Sequence, residues 1–209
     1  MKMHLLSAAA MVAVTLASCG GSANTDNAAT PVDSTATAAK EQGYVLDVAA
    51  STLTWKGTMI KVKHHEGTMA FAEGKFIAKG GQLVSGTFNV DMKSIVPTDS
   101  NYTKESTKEK LLGHLASPDF FAVDSFPTAS FEVVSVSGNT AEGNLTVRGR
   151  THGETLTDIV ITEDNGMAKA SGKLVFNRQK YGVAWASPMK DMVLSDDIEI
   201  TVSLVAKAQ

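Results

Sequence analysis

The C-terminal run of this chain allows one kind of backbone. Ile198, Ile200, Val202 and Leu204 alternate with Glu199, Thr201, Ser203 and Val205, and a two-residue period puts one apolar row on one face of an extended strand. Phe88, Val90 and Met92 alternate in the same way with Asn89, Asp91 and Lys93, and Phe131 to Ser137 and the pair Leu145/Val147 follow suit. Turn signals separate the runs: Gly80-Gly81, Ser137-Gly138-Asn139, and Asn165-Gly166, a strong hairpin signal. The pattern predicts about eight strands, several of them long. Long amphipathic strands carry exposed edges unless the sheet closes, so the expected fold is an all-β, closed antiparallel barrel. An open β-sandwich satisfies the same periodicity.

One segment departs from the strand period. In Ser106–Leu115, Ser106 and Glu109 have capping-box spacing, and Leu111, Leu112 and Leu115 fall on one helical face. This predicts one short amphipathic helix, interrupted by Gly113, that crosses between two strands. Phe120, Phe121 and Phe126 follow in an irregular stretch. Their rings must be buried, which places the stretch, with the helix, across the barrel wall or mouth.

The other end of the chain reads as an export signal. Lys2 precedes an apolar run at residues 5–17, too short to span a bilayer comfortably, and small residues lead to a cysteine. Leu16-Ala17-Ser18-Cys19 resembles the bacterial lipobox, which implies a signal peptide over residues 1–18, cleavage before Cys19 and acylation of its thiol. Gly20 in place of an acidic retention residue favours the outer membrane. Cys19 is the chain's single cysteine, so the mature chain forms no intramolecular disulfide and its folded part relies on its own core. Residues 19–42 are small and polar, without apolar periodicity, and are expected to form a lipidated flexible tether. Its r.m.s. reach is roughly 25–30 Å. The folded domain is expected at residues 43–209. The net charge of −3, with acids and bases interspersed, offers no basic stripe for nucleic acid.

Five ordered stretches carry a family resemblance. They are Tyr44-Val-Leu-Asp47 with Ser51-Thr-Leu-Thr-Trp55; Gly67-Thr-Met-Ala-Phe71; Gly86 to Ile95; and Gly113-His-Leu-Ala-Ser-Pro-Asp-Phe-Phe121 with Phe126 to Phe131. The fifth group is Gly143 to Gly149, then Asn177-Arg178 and Leu194-Ser-Asp196. Together they resemble the YceI-like proteins, a bacterial family of periplasmic or lipid-anchored polyisoprenoid-binding proteins. The resemblance implies a lipocalin-like barrel enclosing an apolar tunnel for a long isoprenoid chain such as a polyprenyl phosphate or an isoprenoid quinone. It implies no further cofactor.

Strand parity names the residues expected to face such a tunnel: Met59, Met69, Phe71, Phe88, Val90, Met92, Phe131, Val133, Leu145, Val147, Leu174, Phe176, Ile198, Ile200 and Val202. Each serves plain core packing equally well. His65 and Arg178 are the head-group candidates. Arg178 continues the inward parity of Leu174 and Phe176 and must either face a polar ligand group or pair with Asp191, Asp196 or Asp197. His64-His65-Glu66 does not read as a metal site, because adjacent strand residues point to opposite faces. No nucleophile motif or phosphate-cradling loop is present, so the expected function is non-enzymatic lipid binding at the cell envelope. The alternative is a ligand-free barrel that binds another envelope protein through its surface and loops.

Overall fold

The computed structural model describes residues 39–60, 63–187 and 193–209. The expected signal peptide, Cys19 and most of the expected tether lie outside them. The strands are β1 (Glu41–Leu46), β2 (Thr52–Met59), β3 (Lys63–Met69), β4 (Phe71–Lys79), β5 (Gln82–Asp91), β6 (Val96–Pro97), β7 (Thr128–Ser137), β8 (Thr140–Val147), β9 (Arg150–Asp164), β10 (Met167–Asn177) and β11 (Leu194–Ala208). One helix, α1 (Lys108–Ala116), lies between β6 and β7. Because β1 starts at Glu41, the domain begins inside the stretch read from sequence as tether.

The sheet closes on itself. The order β1-β4-β5-β7-β8-β9-β10-β11 returns to β1 through Tyr44↔Ala208 and Leu46↔Ala206, and every pairing is antiparallel. The result is the closed 8-strand antiparallel barrel that the periodicity calls for. The segments exceed eight because three barrel strands bend. β1 hands over to β2, β3 to β4, and β5 to β6, so that β2, β3 and β6 extend the wall beyond the ring. At the first of these breaks the ladder is repaired by a side chain. The buried Ser51 hydroxyl accepts from Val205 N at 3.0 Å and donates to Val205 O at 3.2 Å, while Asp47 N donates to the same carbonyl at 2.8 Å. At the far end of β2, Gly67 lets β6 approach. A methyl there would sit 2.8 Å from Pro97 Cα and 2.8 Å from the Trp55 ring.

The two barrel ends differ. The turns after β4, β7 and β9 share one end, and Gly80, Gly81, Gly138, Asn165 and Gly166 all take the positive φ that such tight turns demand. Here the core is solid. Tyr44 stacks on Phe76, and Ala78, Ala141, Ala168 and Ala206 are at most 1% exposed. Small side chains let the walls converge. Glu163 closes this end, accepting from the Tyr44 hydroxyl and from Gly81 N, each at 2.8 Å. Burial, reinforced by that carboxylate, pushes the Tyr44 hydroxyl up to about 12.

The helix starts one residue later than the capping-box spacing implies. Ser106 already exchanges hydrogen bonds with Thr103, so Thr107 is the cap and accepts from Lys110 N at 3.3 Å. Leu111 and Leu115 face the interior as expected, but Leu112 is 36% exposed. The inward i, i+3, i+4 face is instead Leu111, His114 and Leu115.

Ser51→Ala leaves the buried Val205 N–H without its acceptor. The expected loss is about 1–3 kcal/mol of unfolding free energy in urea titration, with no change in the far-UV strand signal.

Candidate ligand-binding site

The opposite end of the barrel is hollow. A cavity of about 540 Å³ opens there and runs inward between the sheet walls. Its wall includes both Leu194 and Leu204 of β11; at about 3.3 Å per residue and the usual barrel tilt, that separation spans roughly 25 Å along the axis. The lining is almost wholly apolar and ends blindly at Leu83, Ile161 and Leu204, just short of the packed alanines.

Two-residue periods build this wall. On β2, Leu53, Trp55, Gly57 and Met59 face inward; on β11, Leu194, Ile198, Ile200, Val202 and Leu204 do so. Of the residues named from strand parity, all but Val133 line the cavity. Val133 packs against the core but off the lining, next to a register shift in β7 between it and Ser135. Sequence parity also extends to Leu53, Trp55 and Phe76, which were not singled out although they sit on the same rows. Leu111, Leu115, Phe120, Phe121 and Trp185 come from irregular or helical segments, where no two-residue period can find them. Phe126 instead packs its ring over Gly149, whose positive φ turns the chain between β8 and β9.

Trp185, His114 and Phe120 form the aromatic rim. The His114 ring meets Trp185 edge-on with centroids 4.9 Å apart and Phe120 at 5.2 Å. Arg148 clamps this end from outside, donating to Gly182 O at 2.6 Å and Pro118 O at 3.1 Å.

The two head-group candidates part company. Arg178 does not reach the cavity. β10 ends at Asn177, and Arg178 opens a 3-10 turn whose geometry breaks the inward parity of Leu174 and Phe176. The guanidinium, 2% exposed, donates from Nε to Ser195 O at 3.0 Å. Its Nη1 donates to Val183 O at 2.6 Å and Trp185 O at 2.9 Å, and its Nη2 to Asp196 at 3.0 Å. Burial pulls its pKa down and the Asp196 carboxylate offsets part of that. Arg178 is therefore the bolt that fixes the Trp185 segment against β11, and the head-group assignment is corrected to a structural one.

His65 does line the cavity. Its neighbour His64 points outward toward Glu66, with 3.7 Å between Nε2 and the carboxylate. No cluster suited to a metal ion occurs among the described residues. The His65 Nδ1 lies 3.1 and 3.2 Å from the two oxygens of Asp99, and its ring stacks on Tyr102 at 5.3 Å. Asp99 also accepts from Glu66 N at 3.2 Å, Asn101 N at 2.8 Å and the Tyr102 hydroxyl at 3.0 Å. Burial would raise the Asp99 carboxyl, but the amides of Asn101 and Glu66, with His65 and Tyr102, together hold it below the usual carboxylate range. The same contact, with burial as the larger cause, pushes the Tyr102 hydroxyl up to about 12.

A profile of the YceI-like domain matches residues 44–206. The chain belongs to the YceI-like family. A UPF0312 protein of Staphylococcus aureus (strain bovine RF122 / ET3-1) is 32% identical over 122 residues, which is 53% of this chain and 67% of that protein. The same protein type in S. aureus strain N315 is 31% identical over the same shares. Among solved structures, BcnA of Burkholderia cenocepacia superposes with a TM-score of 0.55 at 19% identity, covering 78% of this chain and 99% of that one. A polyisoprenoid binding domain from Saccharophagus degradans, implicated in plant cell wall breakdown, gives 0.54 at 12% identity, covering 80% and 99%. At such identities these structures establish the shared fold. In this YceI-like chain the fold is a barrel built to hold a hydrophobic ligand.

Two outcomes follow for the mouth. Arg178→Met strips the Val183 and Trp185 carbonyls of their donor, with an expected loss of about 3–5 kcal/mol by urea titration; Arg178→Lys should rescue little, because an ammonium cannot span all these acceptors. Asp99, with its pKa depressed on folding, stabilises the fold fully above the unfolded carboxylate range, and that contribution disappears as pH falls through the folded value. The urea midpoint of Asp99→Asn should therefore be lower than wild type at pH 7, and the gap should narrow toward pH 3.

Proposed function

We propose that this protein is a non-enzymatic carrier or sequestering protein for an isoprenoid lipid, held at the cell envelope by acylated Cys19. The observation that carries the proposal is the blind apolar cavity itself, lined by side chains from β2 to β5 and β7 to β11 and open at one end. Such a shape buries a chain lengthwise, at about 0.8 kcal/mol per buried CH₂. Its volume falls within the roughly 300–1,000 Å³ usual for ligand pockets. The Saccharophagus degradans domain, a polyisoprenoid binding domain of the same fold, supports an isoprenoid as the chain. Methionines at Met59, Met69 and Met92 on the wall suit a flexible guest, since a thioether adapts its shape at little cost.

Location at the envelope, on the outer membrane, rests on the lipobox-like Leu16–Cys19 and on Gly20. The almost wholly apolar lining supports binding without turnover. A ligand-free interaction module predicts a filled interior instead, and the cavity gives that reading no support.

Native mass spectrometry of protein expressed with its leader should show a prenyl lipid adduct that is lost on solvent extraction and regained with a polyprenyl probe. An empty barrel that also refuses the probe would sink the proposal. Val90→Phe adds ring volume to the lining. The variant should keep its fold and take up short prenyl chains while losing uptake of long ones, read by the same mass spectra; loss of stability with unchanged uptake would point to a packed core instead.

A further inference from the structure

The inward row of β3 changes character along its length. Met69 lies deep and buried, Gly67 follows, and then His65 and Lys63 line the cavity as it opens. Residues two apart on a strand share a face and stand roughly 7 Å apart. The Lys63 ammonium and the His65 imidazole therefore lie along one edge of an otherwise greasy mouth. Lys110, on the first turn of α1, joins them on the lining.

Each of these groups is held by one connection, residues 98–107. Asp99 fixes the His65 ring through Nδ1, which leaves Nε2 for the cavity side. Asn101 O accepts from Lys63 Nζ at 3.2 Å, and Asn101 is itself held by Asp99 and by its own Nδ2 donating to His64 O at 2.8 Å. Glu105 O accepts from Lys110 Nζ at 2.8 Å. Neither ammonium pairs with a carboxylate among the described residues, in contrast to Lys56, Lys93, Lys173 and Lys207 on the outer surface. The carboxylate that shares the mouth, Glu105, is exposed on the loop. The side chain of Asp99 is 4% exposed and holds the 98–107 connection through the amides of Glu66 and Asn101. The same carboxylate also holds the His65 ring in one orientation at the mouth, which is how carboxylate–histidine pairs ready an imidazole for a partner.

We propose that this mouth seats an anionic, phosphate-class head group between Lys63, His65 and Lys110, so that the preferred lipid is a prenyl phosphate rather than a neutral prenyl lipid. The inference rests on the carrier reading and names the head group for the same cavity. Ser106 and Thr107 line the same region and supply hydroxyl donors to the remaining phosphate oxygens, while the Tyr102 hydroxyl stays on Asp99.

Binding of a polyprenyl monophosphate and of the polyprenol of equal chain length should be compared on the full-length protein in detergent. Inorganic phosphate serves as competitor, and the salt concentration is varied. Wild type should prefer the phosphate by about ten-fold or more, as expected for charge-assisted contacts, and the preference should shrink as salt rises. Lys110→Gln, at an exposed position that leaves the fold intact, should cut the ratio, and Lys63→Gln/Lys110→Gln should bring it close to unity. Millimolar inorganic phosphate should compete weakly, because it lacks the buried chain. Equal affinity for the two lipids in wild type, or a preference that survives the double substitution, would overturn the head-group assignment while leaving the carrier reading intact. Tight binding of inorganic phosphate alone would assign the site to free phosphate and overturn the lipid head group. Failure of both lipids to bind would overturn the carrier reading, and this assignment with it.

Discussion

The structure depends on β11 finding partners on both edges along its whole length. One edge is covered by β10 from Met167↔Lys207 to Asn177↔Asp197. The other needs two strands in succession, β1 at Tyr44↔Ala208 and β2 at Ser203↔Thr52 through Leu194↔Met59. A single straight strand would run off the barrel as the sheet coils; a broken one follows it. The break exposes ladder groups in the middle of a closed sheet, where an orphaned N–H is expensive. Ser51 and Asp47 N fill that gap on Val205. With the ring closed there, each of its eight strands has a partner on both sides, and the interior can be hollow without the wall collapsing.

What the sequence makes legible is the part of the molecule governed by period two. The apolar rows of β5, β8, β10 and β11 each keep unbroken register with one neighbour, β5 with β7, β8 with β9 and β10 with β11, and parity on them leads directly to the cavity wall. Parity fails at identifiable defects. Val133 sits at a register shift in β7, and Arg178 follows the last ladder residue of β10, where a 3-10 turn begins. In both places one backbone irregularity re-aims the side chain, and nothing in the residue types announces it. The helix boundary moves for a similar reason: the Ser106 backbone is tied into a turn with Thr103, and the Thr107 hydroxyl takes the cap. Tyr102, Lys110 and Trp185 were illegible because they reach the cavity from segments with no repeat at all. Their positions are set by long-range hydrogen bonds such as those of Asp99 and Arg178.

Those two residues solve the same problem with opposite charges. An open barrel mouth must be lined by irregular chain, and irregular chain has no ladder to satisfy its backbone. Arg178 gathers the carbonyls of Val183, Trp185 and Ser195, while Asp99 gathers the amides of Glu66 and Asn101. Each buries a charge to hold a loop. Arg178 spends its donors on that task and stays off the cavity, whereas Asp99 passes its constraint on to His65, which reaches it.

The polarity of the barrel also sets where a ligand can enter. The first described residues, at the start of β1, lie at the blind end: Glu41 pairs with Lys79 beside the Gly80-Gly81 turn. The mouth is at the other end, roughly 25 Å along the axis by strand geometry. A ligand that fills the cavity therefore enters at the end away from the first strand, where the irregular segments fixed by Asp99 and Arg178, and not a strand turn, form the entrance.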